Sequence, residues 1–268
     1  MTARFVARPA VEPLKPLIGV LCCNETAERP IQAVASRFIE PLVHVSGATV
    51  LLVPAIPNAM DIAQLAERLD GLLLTGARSN VAGSRYGGPP CGRDRLDENR
   101  DEVALALSAR MIERGRPVFG ICRGLQELNV LFGGTLTCAP ETHKRAEPDS
   151  PYEALFDHEH DVLLAPEGML AAALGATRLR VNSVHEQAID RLGSDLVAEA
   201  VATDDGLVEA FTAHPCGAPV VGVQWHPEWN YRRRPEGGAF FGLIGNALRA
   251  HRDGNARIHA GGQIRLSR

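Results

Sequence analysis

The stretch Pro117–Leu136, PVFGICRGLQELNVLFGGTL, sets the tightest limit on what this chain can fold into. Val118 to Ile121 are apolar or small and run into Cys122. Beyond Cys122 the period changes: Leu125, Leu128 and Leu131 recur at helical spacing, with Gln126, Glu127 and Asn129 between them. A buried strand that turns sharply into a helix, with a cysteine at the turn, meets both patterns. Gly120 and Gly124 stand two residues to either side, where bulky neighbours would clash with a tight and strained turn. This is the cysteine counterpart of the G-x-S-x-G elbow. The N–H groups and dipole at the start of the following helix favour a thiolate over a thiol at this place. A small cysteine merely buried at a strand end would need neither glycine.

The rest of the chain must supply a sheet for that elbow. Its 268 residues, 45% of them hydrophobic, suffice for one large α/β domain and exclude wholesale disorder. A net charge of −4 gives no basic field for nucleic acid or an anionic membrane surface. The apolar runs are too short for a membrane span, and MTARFVARPAVEPLKP has no apolar core of signal-peptide length, so a cytoplasmic location is expected. The six cysteines (Cys22, Cys23, Cys91, Cys122, Cys138 and Cys216) show no regular pairing and are expected to be mostly free thiols.

Residues 1–15 read as a flexible arm, 16–251 as a single domain and 252–268 as a mobile polar tail. Leu17–Cys23 is a short, continuous apolar strand and Asn24–Pro30 a loop. Val34, Phe38, Leu42 and Val45 place a helix over 31–45, ended by Gly47. ATVLLVP is a second strand, Asn58 caps a helix through Leu69, and DGLLLTG (Asp70–Gly76) is a third strand. A long loop follows to about Leu96, and Asp97 caps a helix to Glu113. Such alternation implies a mostly parallel sheet covered on both faces, with ligands bound beyond the carboxyl ends of its strands. The loop after Gly76 and the elbow both lie on that edge. In the second half, 137–160 reads as a surface excursion. HDVLLA, RLRVNSVHEQAI, LVAEAVA, LVEAFTA and PVVGVQW read as strands, with a hairpin turn at TDDG and a last helix over about 238–251.

A cysteine nucleophile needs a base, and the base an orienter. In GVQWHPEW, His226 and Glu228 lie two apart in extended chain, so both can face one way, with Pro227 stiffening the bond between them. His226 can take the proton of Cys122 while Glu228 holds the imidazole; such triads are defined by geometry and not by chain order. Acyl transfer also needs donors for an oxyanion. The Arg123 N–H is one candidate, and Gly76 or Ala77, after the third strand, offers the other.

Together GICRGLQ, the LLLTG turn followed by RSNV, VNSVHEQ, DGLVEA and GVQWHPEW resemble class I glutamine-amidotransferase-like hydrolases. More closely, they resemble the gamma-glutamyl-gamma-aminobutyrate hydrolase family of peptidase group C26, over about residues 15–250. The resemblance implies a flavodoxin-like α/β three-layer sandwich with a mostly parallel central sheet and a small antiparallel extension. It makes Cys122 the nucleophile, His226 the base and Glu228 the orienter, with Gly76, Ala77 and Arg123 at the oxyanion. Gln126 matches the position that touches the glutamyl group, and Asn182, Ser183 and His185 the segment bordering that pocket. The sequence departs from the broader pattern at Ala77, where many amidotransferases have a second glycine. The implied reaction is cleavage of 4-(gamma-glutamylamino)butanoate, or a related gamma-glutamyl amine, to glutamate and free amine in putrescine breakdown.

No metal or organic cofactor is required by such chemistry. The expected partners are a small-molecule gamma-glutamyl substrate and a second copy in a homodimer, with no nucleic acid and no membrane. Two other readings stay open on sequence: a glutaminase subunit that passes ammonia to a separate synthase, and a non-enzymatic module that has kept the fold. His143, His158 and His160 with Cys138 fit no common zinc spacing. Arg78 and Arg85 are the first cations to test against a substrate carboxylate, and Trp225 and Trp229 read as core.

Overall fold

The computed structural model describes residues 14–88, 95–139, 143, 154 and 156–261. The first half alternates as the apolar runs require. Strand β1 (Leu17–Leu21) is followed by a hairpin, β2 (Cys23–Thr26) and β3 (Pro30–Ala33), then α1 (Ser36–His44), β4 (Thr49–Val53), α2 (Ile62–Arg68) and β5 (Gly71–Leu74). Next come α3 (Glu98–Glu113), β6 (Val118–Ile121), α4 (Arg123–Leu131) and β7 (Thr135–Cys138). The second half contributes β8 (Glu159–Leu164), α5 (Met169–Leu174), β9 (Arg178–Asn182), β10 (Gln187–Arg191), β11 (Val197–Ala202), β12 (Val208–Ala213), β13 (Val220–Val223) and α6 (Pro235–Gly261).

Nine strands form one sheet in the order β4-β1-β5-β6-β13-β12-β11-β8-β9. From β4 to β13 each pairing is parallel, and from β13 to β9 each is antiparallel. The inner parallel strands are short and apolar on both faces because both faces are covered, whereas the edge strand β4 leaves Leu51 and Leu52 exposed. Ile18 and Val20 of β1, Phe119 and Ile121 of β6, and Val221 and Val223 of β13 pack with α1, α5 and α6 through Phe38, Leu42, Leu170, Phe241 and Ile244. The intervening Leu21, Val118 and Val220 pack with α2, α3 and α4 through Ala66, Val103, Leu107, Leu125 and Leu128. The result is a three-layer α/β sandwich of the flavodoxin-like kind. β6 lies in mid-sheet between β5 and β13, so the segments leaving all three by their carboxyl ends meet on one edge. No helix among the described residues is long and apolar enough to cross a membrane.

Several sequence expectations are corrected. Asn24–Pro30 is not a plain loop, nor is 31–45 a single helix, because Cys23–Thr26 and Pro30–Ala33 pair antiparallel. Polar side chains override the helical spacing of Ile31 and Val34. Asn24 Nδ2 donates to Asp97 Oδ1 and to Ala55 O at 2.8 Å each, and the Ala55 N–H donates to Gln32 Oε1 at 2.7 Å. Asp61, not Asn58, caps α2 by accepting from the Gln64 N–H at 3.0 Å, while Asn58 takes a left-handed φ of 61°. Asp97 caps α3 as expected, accepting from the Arg100 N–H at 3.1 Å. Arg178–Ile189 is two strands, β9 in the main sheet and β10 paired with β7. The last helix continues to Gly261, so residues 252–261 are helical and not a loose tail. Residues 1–13 of the expected arm and 262–268 of the tail lie outside the described residues. Cys22, Cys23, Cys122 and Cys216 are free, whereas Cys138 is disulfide-bonded, an exception to the free thiols expected; Cys91 lies outside the described residues.

Candidate active site

Cys122 stands between β6 and α4 with φ 52° and ψ −106°. That is a left-handed φ for a residue with a Cβ, and such backbone is held only by surroundings that over-determine it. The surroundings are the two glycines. A Cβ on Gly120 would lie 2.4 Å from the Gly124 carbonyl carbon, and one on Gly124 would lie 2.2 Å from the Leu74 carbonyl oxygen. Both obstacles are backbone, so α4 can approach β5 and β6 this closely only with hydrogen at both positions. The Cys122 N–H is bonded to Val223 O of β13 at 2.8 Å, and its carbonyl accepts from the Gln126 N–H at 3.2 Å, closing the first turn of α4.

The neighbouring strand ends bring up the other groups. Gly76, just past β5, faces both the nucleophile and the base. A Cβ there would come within 2.8 Å of His226 Cε1 and 3.4 Å of Cys122 Cβ. Among the described residues no backbone hydrogen bond uses the Gly76 or Ala77 N–H. Arg123, as the first residue of α4, has an N–H without an intrahelical partner. Past β13, His226 Nδ1 lies 2.7 Å from Glu228 Oε1, with Glu228 fully buried. Burial opposes a charge on His226, but the Glu228 carboxylate and then Cys122, through charge and hydrogen bonding, outweigh it. The ring's pKa is raised to about 10. The imidazole therefore keeps its second proton at neutral pH, beside the sulfur. The Arg37 guanidinium adds a cation 3.6 Å from the same Glu228 oxygen and lies over the Phe156 and Trp229 rings at 5.5 and 5.6 Å. Phe156 stacks on Trp229 and meets the His226 ring edge-on.

The elevated His226 pKa has two consequences of defined sign. A proton held more tightly in the fold than in the open chain stabilises the fold fully below the unfolded value, about 6.5, and that stabilisation is lost as pH rises toward 10. For catalysis the alkaline limb of a kcat/KM profile is expected near pH 10 in the free protein. Removing the carboxylate in Glu228→Gln should bring that limb down by about 1–3 pH units. A profile whose alkaline limb does not move would show that Glu228 does not hold the ring's proton.

Two buried arginines tie the oxyanion turn to the elbow helix. Arg100 of α3 is wholly buried. It donates from Nε and Nη2 to the two oxygens of Glu127 on α4, at 2.9 and 3.2 Å. It also donates from Nη1 to Cys23 Sγ at 2.9 Å and to Thr75 Oγ1 at 3.3 Å, and from Nη2 to the Thr75 carbonyl. Burial works against this cation, but Glu127, together with Cys23 and Asp97, outweighs it and the pKa is raised. The Arg123 side chain pairs with Asp101 at 2.5 Å and bonds Ser79 Oγ. Sequence reasoning missed Arg100, Glu127 and Arg37, since a charged residue on an amphipathic helix reads by default as solvated. The position of Arg100 three residues after the Asp97 cap was the available signal.

The four residues assigned by resemblance to the substrate pocket are placed as follows. Gln126 is buried and donates its amide to Gln187 O at 2.7 Å and Gln224 Oε1 at 3.2 Å. Asn182 grips the His226 peptide from both sides: its Nδ2 donates to His226 O at 3.1 Å and its Oδ1 accepts from the His226 N–H at 2.8 Å. Ser183 Oγ donates to His143 O at 3.1 Å. His185 belongs to a separate buried cluster with His143, His160 and Glu209. There the Glu209 carboxyl, against the effect of burial, is held down to about 2 by His160 and His185. Asn182, Ser183 and His185 are thus engaged with protein groups of the wall behind His226.

Residues 16–228 match the family model of peptidase C26. The gamma-glutamyl-gamma-aminobutyrate hydrolase PuuD of Escherichia coli K12 is 37% identical over 224 residues, covering 80% of this chain and 86% of that protein. Among solved structures, a glutamine amidotransferase from Thermotoga maritima superposes with a TM-score of 0.55 at 13% identity, covering 91% of this chain and 86% of that one. One from Methylobacillus flagellatus superposes with a TM-score of 0.54 at 18% identity, covering 82% and 73%. These two structural likenesses speak for the fold.

Proposed function

Because the chain belongs to the peptidase C26 family, we propose that it is a cysteine hydrolase cleaving gamma-glutamyl amides through Cys122, His226 and Glu228. The observation that carries the reading is the left-handed cysteine at the strand–helix elbow, set against a histidine whose far nitrogen is held by a buried carboxylate. The Cys122 sulfur attacks the side-chain carbonyl carbon of the glutamyl group. The oxyanion is held by the Arg123 N–H and that of Gly76 or Ala77. As the C–N bond breaks, His226 gives its proton to the departing amine, leaving a thioester. The neutral ring then takes a proton from water, which attacks the thioester and frees glutamate. No step needs a redox or metal co-reactant.

The Gln126 amide donors are engaged with Gln187 and Gln224, so in this reading its Oε1 is the atom offered to the glutamyl group. Asn182, Ser183 and His185 act as wall and positioning residues. The identity to PuuD supports 4-(gamma-glutamylamino)butanoate as substrate, with glutamate and 4-aminobutyrate as products, and a place in putrescine catabolism. A thiol nucleophile fits a cytoplasmic setting. In this reading the chain works as a homodimer on a small molecule, without nucleic acid or membrane.

The test is a panel of gamma-glutamyl amines with glutamine as a member, read as glutamate release. Gamma-glutamyl-aminobutyrate is expected to exceed glutamine by at least about tenfold in kcat/KM, the worth of one added carboxylate contact. Preference for glutamine, rising when a second protein is added, would replace this reading with that of an ammonia-supplying subunit.

A further inference from the structure

Behind His226 three electron-pair donors from distant parts of the chain meet in a buried triangle. His143 Nδ1 is 3.2 Å from His185 Nε2 and 3.5 Å from Glu209 Oε1, and His185 Nε2 is 3.6 Å from the same oxygen. The outer nitrogens of both rings are engaged. His185 Nδ1 lies 3.0 Å from the Gln187 carbonyl, which can only accept, so that nitrogen carries a hydrogen. His143 Nε2 lies 2.8 Å from an Asp205 carboxylate oxygen, which accepts in the same way. With both outer positions donating, each ring, when neutral, turns its inner lone pair toward the other ring and toward the carboxylate. A single proton can bridge one edge of the triangle. Neither Glu209 oxygen has a hydrogen bond among the described residues, though the residue is 1% exposed.

We propose that His143, His185 and Glu209 bind a divalent first-row transition ion of the zinc class. Tetrahedral zinc with bonds of about 2.0–2.2 Å sets its donors about 3.3–3.6 Å apart, close to the edges of this triangle. Two imidazoles and one carboxylate are a donor set for such ions and not for calcium or magnesium. The outer partners, a carboxylate on one ring and a backbone carbonyl on the other, are those that hold metal-bound histidines in the required tautomer and orientation. Ser183 Oγ lies 3.4 Å from His143 Nδ1, and His160 Nε2 lies 3.7 Å from the other Glu209 oxygen. The ion would sit apart from Cys122 and take no part in bond cleavage. It would pin residue 143 and the 182–187 segment, whose Asn182 grips the His226 peptide, to β12. Sequence spacing concealed the set, because Cys138 is engaged in a disulfide and the effective partners, His185 and Glu209, come from the β9–β10 connection and from β12.

The test uses the full chain without a histidine tag. After removal of bound metal it is titrated with Zn2+ against a chromophoric chelator, metal content is read by mass spectrometry, and Co2+ is used as a spectroscopic probe. One equivalent per chain is expected, with tetrahedral Co2+ bands. Tm is expected to rise by about 5–10 °C at a hundredfold excess over Kd. Glu209→Gln and His143→Asn, each checked for native circular dichroism, should lose the tight equivalent, whereas Cys122→Ala should keep it. A wild-type chain that takes up no zinc and shows no Tm change overturns the proposal whatever the variants do. Binding that disappears in Cys122→Ala but survives in Glu209→Gln overturns it equally, by placing the ion on the nucleophile.

Discussion

Cys122→Ala is expected to lower glutamate release from the best gamma-glutamyl amine by about a millionfold in kcat, the scale on which losing an activated nucleophile acts. The folded structure should persist, because alanine keeps the Cβ and the backbone bonds to Val223 and Gln126 do not involve the sulfur. The same position gives a second readout. With φ 52° and ψ −106° the residue holds about 1–3 kcal/mol of backbone strain. Cys122→Gly would release that strain, while adding about 0.4–1 kcal/mol of unfolded-chain entropy and forgoing about 0.8 kcal/mol of Cβ burial. At an ordinary buried site glycine is the less stable choice. Here the glycine variant should match or exceed the alanine variant in urea unfolding, or fall below it by less than about 1 kcal/mol. Residual turnover near the wild-type level in Cys122→Ala would remove the sulfur from the chemistry. A glycine variant weaker than the alanine variant by well over 1 kcal/mol would show that the elbow stores no strain.

What could be read from sequence was what local chemistry dictates. The elbow shows because one short stretch carries its strand, its two glycines and its helix. The His226–Glu228 pair shows because both residues leave one strand end, and Asp97 because a cap sits beside the helix it caps. The parallel half shows because strands covered on both faces must be continuously apolar. What stayed hidden is decided by distant partners. Pro30–Ala33 became a strand because Asn24, Gln32 and Asp97 tie the hairpin to α3 and to the end of β4. Asn182 looked like one residue of a long strand, yet β9 ends there and its side chain binds the His226 peptide. Arg100 and Glu127 belong to helices whose periodicity identifies the apolar face but cannot say which charges are buried beside it. The His143, His185 and Glu209 donors lie far apart in the chain, at separations that no spacing rule for metal ligands spans.

Arg100→Met is expected to destabilise the fold by about 3–5 kcal/mol, the cost of breaking a buried ion pair from one side. The guanidinium is wholly buried and forked on Glu127, so its loss leaves a carboxylate in the interior with Arg123 Nε, at 3.3 Å, as its remaining cation among the described residues. Against a typical total of about 5–15 kcal/mol, that loss should appear as a clear drop in the urea midpoint. The double variant Arg100→Met/Glu127→Leu removes both charges and puts apolar volume in their place. It should regain most of the lost stability, because a well-packed apolar pair often matches a buried ion pair. Activity should not return with it. Arg100 also binds the Thr75 carbonyl and hydroxyl, one residue before Gly76, and Cys23 at the start of the hairpin, and methionine offers no donor to any of them. A turn displaced by a fraction of an ångström misplaces the oxyanion donors, and losing one such donor costs about a hundred- to a thousandfold in kcat. The expected signature is recovered stability with kcat still depressed and KM little changed, which separates a positioning role from a merely structural one. Recovery of both together in the double variant would mean that the arginine supports the fold and does nothing for the geometry of the oxyanion turn.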